Sequence, residues 1–178
     1  SRTDLLPMPA LLNKPKLDNL ADDIWKSAER LRGKFKAYEY QSVILPMIVL
    51  RRLECVLLAW REKMADEIRA SKPGIKPADL EKQVRNIELK SNLAPFSNKS
   101  PWTLDAIYQN DHTRLDDHFR EWVNGFSKNV DEIVEAFNFR ATIETMVKYN
   151  RLAPILNQYK HRDFGPEHVG MMTGDASV

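Results

Sequence analysis

Several features that would announce a chemistry are missing from this chain of 178 residues. Cys55 is the single cysteine, which excludes an internal disulfide and any multi-cysteine zinc site. All six glycines stand alone, at 33, 74, 125, 165, 170 and 174, so no Gly-x-Gly turn lets a nucleotide cofactor approach the backbone. None of the ten prolines is adjacent to another. The longest apolar run, Val43 to Leu50, has eight residues and ends at Arg51-Arg52, far short of the ~20 needed to span a bilayer. The N-terminus has no apolar segment of the signal-peptide kind, so a cytoplasmic setting without membrane attachment is expected. For the same reason the glycosylation pattern Asn98-Lys99-Ser100 reads as chance.

What is present describes an ordinary globular chain long enough for a real core, with 43% hydrophobic and 29% charged residues. The net charge of +2 is unevenly spread: residues 1–90 hold 18 Lys+Arg against 13 Asp+Glu, and residues 91–178 hold 9 against 12. The densest basic patch is 26–36, where Lys26, Arg30, Arg32, Lys34 and Lys36 face only Glu29. Such a patch attracts phosphates, an acidic partner surface, or simply water around a helix end.

Hydrophobic periodicity is helical throughout. A Pro-containing arm over 1–16 precedes a first helix with Leu17, Leu20, Ile24, Trp25, Ala28 and Leu31 on one face, ending near Gly33. A second helix runs from about Tyr38 to Ala70, and its apolar block predicts a central position in a bundle. Pro46 predicts either a kink or a later start. After the Pro73-Gly74 break, Pro77 suits the first turn of a helix carrying Leu80, Val84 and Ile87. Residues 91–102, rich in Ser, Asn and Pro, read as a long connection, followed by a short helix over 103–108. Leu115, Phe119, Trp122, Val123 and Phe126 define another helix. Gly125 is expected to close it through a positive φ, with Ser127 capping the next helix, which carries Val130, Ile133, Val134 and Phe137. Ile143, Met146 and Val147 continue the pattern, and Pro154 starts a helix to Tyr159. The result is an all-α bundle of seven or eight helices, one of them long, with a frayed tail over 161–178.

Chemistry-bearing constellations are weak. His112 and His118, with Asp111, Asp116 and Asp117, stand six apart and about 120° from a common helix face, so no metal site is expected. Cys55 suits a small buried apolar role. Trp25, Trp60 and Trp122 fall on apolar faces and suit a core rather than a stacking platform. Trp102, between Pro101 and Thr103, is a candidate contact residue.

Four stretches, in order, carry a resemblance. These are Asp23 to Gly33 with Glu39-Tyr40 and Val43 to Leu50; Asn98-Lys99-Ser100-Pro101-Trp102-Thr103-Leu104; Asn124 to Phe139; and Phe137 to Tyr159. Together they resemble the N-terminal helical domain of the modification subunit of type I restriction-modification systems, a DNA adenine-N6 methyltransferase. The resemblance implies that domain over 17–160 and a tail leading toward an S-adenosylmethionine-dependent domain. It further implies a specificity subunit, a restriction subunit, a second modification subunit and double-stranded DNA as partners. The family's Asn-Pro-Pro-aromatic motif and glycine turn are not in these residues, so neither catalytic nor cofactor-binding residues are expected in this chain. Arg30, Arg32, Lys34, Lys36 and Trp102 are the candidates for nucleic-acid or partner contact. The alternative is a freestanding helical protein–protein adaptor.

Overall fold

The computed structural model describes residues 37–162. The arm, the first helix with Trp25, and the tail beyond Arg162 lie outside the described residues. Seven α-helices follow in order: α1 (Ala37–Ser71), α2 (Pro77–Lys90), α3 (Leu104–Gln109), α4 (Leu115–Gly125), α5 (Lys128–Ala136), α6 (Phe139–Lys148) and α7 (Leu152–Tyr159). A 3₁₀ turn, His112–Arg114, leads into α4. No described helix is long and apolar enough to cross a membrane.

The 35 residues of α1 form the spine. Its apolar block is packed on all sides: Val43, Ile44 and Met47 to Leu50 are buried, and only Leu45 is half-buried. Pro46 sits inside the helix, which excludes the later start. α2 begins at Pro77, as its fixed φ favours, and returns along α1.

Two apolar clusters result. The large one gathers the first half of α1 with α3 to α7 and includes Leu104, Phe119, Trp122, Phe139, Ile155 and Tyr159. The small one, Ile68, Leu80 and Val84, joins the far end of α1 to α2. Trp60 packs against both clusters and bridges them. Cys55 is half-buried rather than buried, with its Sγ 3.8 Å from the Arg162 carbonyl.

Among the described residues two turns need a left-handed residue, and asparagine supplies both: Asn138 (φ 51) before α6 and Asn150 (φ 55) before α7. Pro154 falls within the first turn of α7, whose start at Leu152 precedes the expected one.

Phe139, fully buried and edge-on to Phe119 with centroids 6.3 Å apart, locks α6 to α4. Phe139→Ala should lower stability by about 3–5 kcal/mol, the range for emptying an aromatic site in a core. Urea denaturation measures this, and an unchanged midpoint would contradict the packing described.

Candidate interaction site around the loop 91–103

The long connection between α2 and α3 has no helix or strand of its own, yet Ala94, Phe96, Ser97, Asn98 and Ser100 are all buried. Buried backbone must find partners. Here they come from two buried carboxylates. Glu88, at the end of α2 and 0% exposed, accepts the Asn98 N–H at 2.9 Å. Glu54 on α1, 3% exposed, accepts the Leu104 N–H at 3.0 Å. The stretch Asn98 to Leu104 is thus pinned at both ends.

Each carboxylate has guanidinium partners. Arg51 meets Glu54 at 2.5 Å and also donates to the Arg162 carbonyl. Arg61 binds Glu88 through Nε at 2.5 Å and Nη2 at 3.1 Å. Arg85 lies 3.4 Å from Glu88 and donates to the carbonyls of Asn98 (2.9 Å) and Ser100 (2.7 Å). Burial pushes the Glu54 carboxyl above its ordinary range, although Arg51, the Leu104 N–H and Trp122 favour its charged form. Burial, with the neighbouring Arg61 charge, lowers the affinity of Arg85 for its proton.

Asn98 joins the loop to the end of α4. Its Nδ2 donates to the Trp122 carbonyl at 2.9 Å, one of the last carbonyls of α4, which have no partner within the helix. Its Oδ1 accepts the Ser100 N–H at 2.9 Å. Lys99 N–H donates to the Gly125 carbonyl and Ser127 N–H to the Ser97 carbonyl, both at 2.9 Å, around an antiparallel bridge between Asn98 and Phe126. A Cβ on Gly125 would overlap Asn98 Oδ1 and stand 3.0 Å from Ser100 Cβ and N. Gly125 is therefore required for close approach, and its φ is not in the left-handed region, contrary to the expectation from sequence. Ser127 stands at the N-cap of α5, but its hydroxyl accepts the Ser97 N–H at 3.0 Å rather than capping that helix.

Among the predicted contact residues, Arg30, Arg32, Lys34 and Lys36 lie outside the described residues. Trp102 is half-buried against α4: its ring stacks on His118 with centroids 4.1 Å apart, and Nε1 donates to Glu121 at 3.0 Å. His112 instead meets Tyr108, with its Nε2 2.7 Å from the Tyr108 carbonyl, so the two histidines have separate neighbours.

Sequence reasoning missed Glu54 and Glu88. A signal was available: each lies four residues after a buried apolar position, Leu50 or Val84, and so continues an apolar stripe with a charge.

Beside this loop runs a cleft of about 480 Å³ between α1 and α2, closed at one side by residues 99–101. Arg61, Arg85 and Lys99 line it with Glu62 and Glu81, and Ala65, Leu80 and Val84 supply its apolar surface.

Comparison with known families assigns this helical domain to the modification subunits of type I restriction-modification systems. The family model, described as the HsdM N-terminal domain, matches residues 20–158, and the chain belongs to that family. Neither the curated proteins nor the solved structures contain a significant match.

The loop geometry makes Gly125 and Glu54 the residues to test. Gly125→Ala would ordinarily gain up to ~1 kcal/mol of helix propensity, but here the added methyl meets Asn98 and Ser100, and a net loss of about 1–3 kcal/mol is expected. A raised urea midpoint would contradict the close approach. Glu54 brings a dependence on pH. Because its folded-state pKa lies above its ordinary 4.5, its contribution to stability is fully present below that value and declines as pH rises through the folded one. Glu54→Gln, which cannot ionise, should therefore lose less stability than the parent as pH is raised from 4.5 toward neutrality. Paired urea titrations across that range check it, and a difference that does not change with pH would contradict it.

Proposed function

We propose that this chain is the N-terminal portion of a DNA adenine-N6 methyltransferase subunit, which transfers the methyl group of S-adenosylmethionine to adenine in double-stranded DNA. The match of the family model over 20–158 is the observation that carries this reading. In it, residues 1–178 do not perform the transfer. They contain no Gly-x-Gly turn and no Asn-Pro-Pro-aromatic motif, and the chemistry belongs to an S-adenosylmethionine-binding domain of the intact subunit. The helical domain contributes contacts: to the specificity subunit, which selects the DNA sequence, to a second modification subunit and the restriction subunit, and to DNA itself. The setting is cytoplasmic.

The segment 26–36 suits a phosphate contact, with five cations against one acid. Phosphate contacts hold a protein on the duplex without reading sequence.

The test is made on the intact subunit assembled with its specificity subunit. Labelled methyl groups should pass to adenine N6 in cognate duplex, whereas residues 1–178 alone should give no saturable S-adenosylmethionine binding by calorimetry. An assembly that methylates no adenine would overturn the reading. Neutralising Arg30, Lys34 and Lys36 together should weaken binding about equally on cognate and unrelated DNA. It should also flatten the salt dependence by about 0.9 in log–log slope for each phosphate that is no longer neutralised. An unchanged slope with reduced assembly would instead assign the patch to a partner subunit.

A further inference from the structure

The cleft between α1 and α2 has a composition that selects its occupant. Arg61 and Arg85 both line it, and the two guanidiniums share one carboxylate, Glu88. Arg61 hydrogen-bonds through Nε and Nη2, and Arg85 through Nη1 and Nη2. Arg61 Nη1 and Arg85 Nε are left with no hydrogen bond among the described residues. Lys99, exposed on the loop that closes the cleft, adds a third cation whose ammonium meets no carboxylate among them. The residues lining the cleft thus carry spare guanidinium donors and the Lys99 ammonium, which a carboxylate or phosphate group satisfies.

The remaining lining discriminates between those anions. Glu62 and Glu81 also border the cleft, and Glu81 stands one helical turn from Arg85. A duplex carries a phosphate charge about every 1.7 Å of its axis, so a DNA backbone laid here would meet those carboxylates as well as the cations. A small inorganic anion would leave Ala65 and Leu80 uncovered. A single carboxylate beside an apolar side chain matches both parts, and a volume of about 480 Å³ accommodates a few side chains.

We propose that this cleft is a docking site for a protein segment of a partner subunit, in which an Asp or Glu engages Arg61, Arg85 and Lys99 while an adjacent apolar side chain rests on Ala65 and Leu80. The proposal rests on the reading of the chain as part of a multisubunit methyltransferase, which supplies the partner. A basic residue following in the segment would find Glu81.

The experiment uses the intact modification subunit, with the photo-reactive amino acid p-benzoylphenylalanine replacing Lys99, assembled with the specificity subunit and a second modification subunit, with and without DNA. A cross-link to a partner-subunit peptide with an acidic residue next to an apolar one is expected, and the mass of the product tells which subunit supplies it. In parallel, Lys99→Glu should weaken subunit association about 10-fold or more, and Lys99→Arg should retain it. The Lys99 side chain is exposed, so neither variant should move the urea midpoint. A cross-link to DNA alone would overturn the proposal in favour of a nucleic-acid groove. Normal association of Lys99→Glu without any cross-link would overturn it outright. In either case, continued adenine methylation would leave the functional reading intact. Absence of methylation and assembly in the parent proteins would remove that reading and this proposal with it.

Discussion

Two buried carboxylates hold this domain's arrangement. Glu54 and Glu88 stand on different helices, and each accepts one backbone N–H from the same loop. A charge in that position is costly unless paired and hydrogen-bonded, and each has a guanidinium at 2.5 Å. Removing either carboxylate would strand buried N–H and guanidinium groups together, so the effect would spread beyond a single contact. The loop in turn satisfies the end of α4 through Asn98, and α4 carries Phe119 and Trp122 into the main core. Helix, loop and core thus depend on the same pair of acids.

Two of the stretches that resemble the restriction-modification family prove to be one structural unit. Asn98 to Leu104 and Asn124 to Phe139 are separated in sequence but meet at the bridge between Asn98 and Phe126. The isolated Gly125 belongs with Asn98 because the amide oxygen occupies the space a methyl would need. A glycine and an asparagine that look like independent punctuation marks in the sequence are two halves of one contact.

The helices were legible because their apolar positions recur at helical spacing. α1 ends within a residue of expectation, and Pro77 opens α2 as its chemistry dictates. The loop was legible only as a loop. Its burial could not be read, because Ser, Asn and Pro at the surface and in a hydrogen-bonded interior have the same composition. The role of Gly125 was misassigned for a related reason: a glycine ending a helix usually supplies a left-handed residue, and close approach of a distant side chain leaves no local mark. The left-handed positions went instead to Asn138 and Asn150, asparagine being a residue type that visits that conformation more readily than most. The cleft was invisible because it is formed by residues from three separate segments. Of the named contact residues, Trp102 is drawn onto His118 and Glu121, which no spacing rule would have linked to it.

The small apolar cluster at the far end of α1 has a mechanical consequence. Beyond Arg61, α1 continues for ten residues to Ser71, about 15 Å at 1.5 Å per residue. That length is packed mainly against α2 through Ile68, Leu80 and Val84. The ion pair between Arg61 and Glu88 ties the two helices at the inner end of that segment, so the α1–α2 pair is braced at both of its ends. The far end of α1 is thus joined to the loop by way of α2, through the same carboxylate that holds the Asn98 backbone.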